Sequence, residues 1–120
     1  MPKFDMFQKQ TDVRSFVSGE TIFHQGDPAS VMFVVNAGEV EIRLGNKVLE
    51  VVQPSGIFGE MAIIDGQPRT ATAVARSDCK LVPIDQKRFQ FLVQQTPYFA
   101  VEVMRVLADR LRRADRVIDA

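Results

Sequence analysis

The sequence predicts a mainly β protein, an antiparallel sandwich or barrel-like roll, followed by C-terminal α-helices. Two observations carry this prediction. Short apolar segments separated by Gly, Pro, Asn and Asp clusters recur through the first two thirds of the chain, which is the spacing of strands joined by tight turns. In the last third, apolar residues return every three or four positions instead, the period of an amphipathic helix. At 120 residues and 46% hydrophobic content, the chain suits a single domain over residues 1–120. The roll is expected at about 12–85 and the helices at about 86–119.

The strands follow in order. Residues 13–17 are apolar-rich and stop at Ser18-Gly19; residues 21–23 run into the breaker cluster Gln25-Gly26-Asp27-Pro28. The unbroken apolar run 31–35 is that of a strand buried on both faces, and Ala37-Gly38 turns the chain. Val40, Ile42 and Leu44 then alternate with Glu39, Glu41 and Arg43, as in a half-buried strand. Gly45-Asn46 signals a hairpin, since both residue types tolerate positive φ. Residues 48–52 return, and Pro54-Ser55-Gly56 breaks them. A short element at 58–64 closes at Asp65-Gly66-Gln67-Pro68, and two more strands follow at 71–75 and 80–84.

Asp85 is placed to cap a helix to about Gln95, with Phe89, Leu92 and Val93 on one face. Thr96-Pro97 reads as an N-cap followed by Pro at the first helical position. From there one longer helix runs to about Asp119, with Phe99, Val103, Val106, Leu107, Leu111, Ala114 and Ile118 at helical spacing.

Composition removes several function classes. Fifteen basic and 15 acidic residues give a net charge of +0, whereas coating nucleic acid requires a basic excess. Cys79 is the only cysteine and His24 the only histidine. A disulfide, a metal cluster and a Ser-His-Asp set are therefore out of reach within the chain. No apolar run approaches the roughly 20 residues that span a bilayer, and Met1-Pro2-Lys3-Phe4-Asp5 lacks the apolar region of a secretory signal. The expectation is a cytoplasmic protein without cofactor, enzymatic activity, nucleic-acid partner or membrane partner.

One segment carries distinctive chemistry. Phe58-Gly59-Glu60-Met61-Ala62-Ile63-Ile64 is followed, after a tight turn, by Pro68-Arg69-Thr70-Ala71-Thr72. Gly59 lets a ligand approach the backbone. A single helical turn over 60–63 would aim its unused N–H groups at one spot, a ready anion site. The Arg69 guanidinium fits two oxygens of one phosphate. Glu60 would repel a phosphate but accepts a hydrogen bond from a sugar hydroxyl, with Arg69 offsetting its charge. Thr70 adds a hydroxyl for the phosphate or a purine edge. Together these residues suit a ligand with one phosphate and a neighbouring sugar hydroxyl, such as a 3′,5′-cyclic nucleotide. The bland alternative, a surface Glu60–Arg69 ion pair beside a hairpin, would contribute about 0–1 kcal/mol. It accounts neither for the order of these residues nor for the small Ala62 and Ala71.

The same segment resembles the phosphate-binding cassette of the cyclic-nucleotide-binding domain family. That family includes regulatory subunits of cyclic-AMP-dependent protein kinase, cyclic-nucleotide-gated channels and bacterial catabolite activator proteins. Glu20-Thr21-Ile22-Phe23-His24-Gln25-Gly26-Asp27 is similar to the family's second strand and turn. Met32-Phe33-Val34-Val35 and Gly38-Glu39-Val40 resemble its next two strands. The resemblance implies an eight-stranded antiparallel β-roll with a short phosphate-binding helix and two C-terminal helices. It implies that Arg69 pairs with the cyclic phosphate and that Glu60 holds the 2′-OH. Backbone at Gly59, Met61, Ala62 and Ala71 completes the cradle, and Leu49 joins the ligand-binding set. Thr70 is compatible with cyclic AMP and cyclic GMP; cyclic AMP is the favoured ligand.

In the family the last helix folds over the purine as a lid. Arg110 is the lid candidate, a planar guanidinium able to stack on a purine. Against it stands the run from Arg105 to Arg116, interleaved with acids, which reads equally as a solvated face; Leu111, Ala114, Val117 and Ile118 are alternative purine contacts. Leu107, Leu111, Ala114 and Ile118 also form a stripe suited to a homodimer. No helix-turn-helix sequence follows this helix, and only residues 4–11 stand where the family has an N-terminal helical region. A stand-alone regulatory domain acting on a separate effector protein is therefore expected. The alternatives are an interaction protein of the same fold without this ligand, or part of a catabolite-activator-like transcription factor.

Overall fold

A computed structural model describes residues 12–119, with side chains described through Ala114. The expected contribution of residues 4–11 lies outside the described residues, as do the side chains of Val117 and Ile118.

Among the described residues there are eight strands: β1 Arg14–Phe16, β2 Thr21–Phe23, β3 Val31–Ala37, β4 Val40–Leu44, β5 Lys47–Val52, β6 Ile57–Phe58, β7 Thr72–Ala75 and β8 Cys79–Asp85. A short helix α1, Met61–Asp65, separates β6 from β7; α2, Gln86–Gln95, and α3, Pro97–Asp119, follow β8. The strands form two four-stranded sheets, ordered β1-β8-β3-β6 and β2-β7-β4-β5, and every pairing is antiparallel. This is the β-roll expected.

The inner faces of the sheets build the core. Phe33, Val35, Phe58, Cys79 and Leu81 from one sheet meet Val40, Val52, Ala73 and Ala75 from the other, alternate residues along each strand as the pleat requires. Met32, Val34, Val82 and Ile84 are buried too, so β3 and β8 are covered on both faces, as the run 31–35 predicted. On β4 the alternation fades toward the hairpin: Val40 is fully buried while Leu44 is 46% exposed. The hairpin forms at Gly45-Asn46, with Leu44 paired to Lys47. Gly45, at φ 61°, supplies the positive φ that a II′ turn needs at its first central position. A bulge follows: Ile42 pairs with Glu50 and Arg43 with Val48, which makes Leu49 the extra residue of β5.

Several boundaries differ from expectation: β1 is shorter than 13–17 by one residue at each end, β3 runs on to Ala37, and β5 starts at Lys47. The expected helical turn over 60–63 sits one residue later, with Glu60 as its N-cap. The strand expected at 71–75 begins at Thr72, and Ala71 lies in the bend before it. The strand expected at 80–84 extends by one residue at each end, because Asp85 pairs with Val31 of β3 and Cys79 with Phe16 of β1.

The chain divides after Gln86 into two compact units. In the second, the Phe89 and Phe99 rings meet edge to face at 5.5 Å, and the N–H of Phe99 donates to the carbonyl of Thr96 at 2.8 Å, consistent with a helix started at Thr96-Pro97. Phe99 and Val103 are buried, whereas Met104 and Leu111 are more than 60% exposed. No described helix is long and apolar enough to cross a membrane.

Candidate ligand-binding site

The site grows from the end of β6. Ile57 and Phe58 pair with Val34 and Phe33, so the chain leaves the sheet at Gly59 with its direction fixed. Gly59 adopts φ +75°, and a Cβ there would stand 2.6 Å from Nη1 of Arg69. The backbone conformation therefore favours glycine, and a side chain there would push the guanidinium aside. Glu60, 3% exposed, caps α1, and its carbonyl accepts the N–H of Ile63 and Ile64 at 3.1 and 3.3 Å. The N–H groups of Met61 and Ala62 thus precede the first intrahelical bond and have no acceptor within the helix. Gly66 closes α1 by donating to the carbonyl of Ala62 at 3.1 Å, and α1 packs on β3.

Arg69 is fixed from both ends. The N–H of Gly26 donates to its carbonyl at 2.8 Å, and its own N–H donates to the carbonyl of Asp27 at 2.9 Å. Beside it, the N–H of Gln25 donates to Oγ1 of Thr72 at 3.0 Å. The turn after β2 therefore clamps the backbone that carries the arginine. That turn is itself tied by Asp27, whose Oδ2 accepts the N–H of His24 at 2.9 Å.

The guanidinium lies inside the protein; Arg69 is 8% exposed. Nη1 donates to the carbonyl of Gly59 at 3.2 Å and Nη2 to the carbonyl of Val31 at 2.7 Å. The guanidinium carbon stands 4.0 Å from the centroid of the Phe23 ring. Nε is buried and makes no hydrogen bond. Burial lowers the arginine pKa below its usual value, and the nearby Asp27 carboxylate works against that shift. A buried cation with an unused donor beside unpaired helix N–H groups is a place where an anion is stabilised.

This geometry overturns the surface ion-pair alternative, because Glu60 and Arg69 are both buried. Oε1 of Glu60 is buried and accepts no hydrogen bond, although Glu60 makes other interactions. Ala62 and Ala71 are each 8% exposed, while Met61 is 46% exposed and Thr70 is exposed. The first unit thus holds Gly59, Glu60, Met61, Ala62, Arg69, Thr70 and Ala71 on one stretch between β6 and β7. Leu49, 48% exposed, lies on an edge strand. Its neighbour Val48 pairs with Arg43, which pairs on its other side with Thr72. Two strand spacings, about 10 Å, separate those rows, roughly the length of a nucleotide. Arg110 is half-buried on α3, in the second unit.

Three participants were not read from the sequence. Asp27 gave only a turn signal. Val31 contributes a backbone carbonyl, to which residue type gives no clue. Phe23 read as an ordinary strand residue, and its contact with Arg69 depends on the pairing of β2 with β7. Cys79 is buried in the core; burial, then Asp78 and Glu20, push its thiol pKa up. Among the described residues no three His, Cys, Asp or Glu side chains are grouped to hold a metal.

Comparison with known proteins bears on the family and the fold. A family profile described as "Cyclic nucleotide-binding domain" matches residues 13–96. The chain is 30% identical over 112 residues to the CRP-like cAMP-activated global transcriptional regulator of Mycobacterium tuberculosis, covering 89% of this chain and 50% of that protein. It is 33% identical over 111 residues to the cyclic AMP receptor protein of Thermus thermophilus, covering 88% and 51%. The chain thus spans about half the length of these relatives. Among solved structures, the catabolite activator protein of Thermus thermophilus superposes with a TM-score of 0.83 at 31% identity, covering 98% of this chain and 57% of that one. A cAMP-bound PfPKA-R structure superposes with a TM-score of 0.76 at 26% identity, covering 88% and 36%.

Proposed function

The chain belongs to the cyclic nucleotide-binding domain family, and from that premise we propose that it binds a 3′,5′-cyclic nucleotide at residues 59–71 as a regulatory module without catalysis of its own. The observation that carries this reading is the buried Arg69, whose Nε donor is unused beside the start of α1. A singly charged cyclic phosphate offers the acceptor oxygens that this donor and the N–H groups of Met61, Ala62 and Ala71 lack. Glu60 accepts the ribose 2′-OH, Thr70 reaches the phosphate or the purine, and Leu49 packs against the base. Cyclic AMP is the favoured ligand, supported by relatives named for it.

Titration calorimetry with cyclic AMP and cyclic GMP side by side tests the reading. Saturable heat with a preference for cyclic AMP is expected; no heat and no thermal shift with either nucleotide would leave a fold-keeping interaction protein instead. In the bound state α3, with Arg110, closes over the purine and transmits the signal to an effector protein or across a homodimer. Contacts made only in the closed state supply the energy. Amide exchange along α3 is expected to slow on ligand addition, and unchanged protection would count against the lid.

A second reading rests on the coverage of the relatives. Because this chain matches about half of two bacterial cyclic-AMP-responsive proteins, one named as a transcriptional regulator, it fits the sensing portion of such a regulator equally well. Retardation of duplex DNA by this chain in a gel-shift assay with cyclic AMP would favour that reading over a separate effector.

A further inference from the structure

We infer that Phe23 is a positioning residue that holds the plane of the Arg69 guanidinium for in-plane recognition of an anion. The inference rests on the cyclic-nucleotide reading for its effect on affinity, but not for its structural content.

The argument starts from degrees of freedom. An arginine side chain ends in a flat fork with five donors. The two hydrogen bonds to the carbonyls of Gly59 and Val31 hold Nη1 and Nη2, yet in-plane bonds at one end of the fork leave it free to tilt about them. The guanidinium carbon lies over the Phe23 ring, 4.0 Å from its centroid, and a flat ring in van der Waals contact opposes that tilt. Stacking of this kind is attractive, because the negative face of the ring meets the cation. The ring meets the fork at its face and not at its Nε–H edge, and that edge carries a buried donor without a partner.

The ring is in turn held by the core. Phe23 stands 5.9 Å from Phe58 and 6.4 Å from Phe33, and Phe33 stacks on Phe58 at 5.3 Å. Phe58 directly precedes Gly59, whose carbonyl receives Nη1. Phe23 directly precedes the turn whose Gly26 and Asp27 bond the Arg69 backbone. One aromatic cluster therefore sets the guanidinium plane, the carbonyl it binds and the start of the turn that anchors its backbone. A side chain ordered before the ligand arrives costs less to immobilise on binding.

The test uses two ring-less variants, Phe23→Leu and Phe23→Met, and one that keeps the ring, Phe23→Tyr, each checked for folding by thermal melt. Affinity for cyclic AMP is expected to fall about tenfold in both ring-less variants and to stay within about twofold of wild type in Phe23→Tyr. Independently of any ligand, the Nε–H proton of Arg69 in the wild type should show a ring-current shift and slow rotation about the Nε–Cζ bond by NMR. Rotation about that bond is expected to become faster in Phe23→Leu and to stay slow in Phe23→Tyr. If wild type binds cyclic AMP and the ring-less variants bind equally well, the inference is overturned. The same holds if the Arg69 signal is unchanged without the ring. If wild type binds no cyclic nucleotide while the NMR signature still depends on the ring, the functional reading falls and the positioning role stands.

Discussion

The stretch between β6 and β7 and the exposed part of α3 use arginine in opposite ways. Arg69 is buried, bonded to two backbone carbonyls and stacked on an aromatic ring. Arg113 is exposed, and Nη2 meets Oδ2 of Asp109 at 2.8 Å one helical turn away. The first arrangement fixes a charge where water does not screen it; the second leaves a charge in solvent, where pairing is cheap to make and cheap to lose. A site of specific recognition needs the former. Three substitutions probe the contrast.

The largest effect is expected at Arg69. Arg69→Ala should weaken cyclic nucleotide binding at least about a hundredfold by calorimetry, since it removes the buried cation and its unused Nε donor; retained affinity would move the phosphate elsewhere. Next comes Gly59→Ala, which sets a methyl group 2.6 Å from Nη1 at φ +75°. It should destabilise the protein by about 1–3 kcal/mol in denaturant unfolding and lower affinity as well, because the guanidinium must shift. A variant with wild-type stability and affinity would mean that the loop is not as tightly held as its geometry indicates. The smallest effect belongs to α3. Arg113→Ala should change stability by no more than about 0.5 kcal/mol and leave affinity within about twofold. A larger loss of binding would place this exposed pair in the site and erase the contrast.

The same contrast explains what the sequence made legible. Elements defined by neighbours along the chain were readable: the alternation around Val40, the hairpin at Gly45-Asn46, the helix begun at Thr96-Pro97. The clustering of Gly59, Glu60 and Arg69 was readable too, and the structure brings these residues together between β6 and β7, with Glu60 and Arg69 buried. What escaped depends on partners distant in the chain. The carbonyl of Val31 and the N–H of Gly26 leave no mark on residue type. Ser55 is buried with a left-handed φ of 71°, which its short breaker motif does not reveal; its N–H donates to the carbonyl of Val35 at 2.7 Å, a bond across the β3–β6 corner. On α3 the sequence favoured Arg110 only slightly over the neighbouring arginines, and a helical repeat does not rank them.

The clamp on Arg69 also bears on portability. The arginine is gripped by a turn more than 40 positions earlier and by a carbonyl 38 positions earlier, so the geometry proposed to hold an anion is absent until distant strands have met. A synthetic peptide of residues 58–72 would carry every side chain named for the phosphate and still lack the grip. Grafting the loop onto another β scaffold would require moving the β2 turn and the start of β3 with it. During synthesis, competence for ligand should arise late, after β7 has joined β2, and a nucleotide present at that stage would select chains in which this long-range closure is complete.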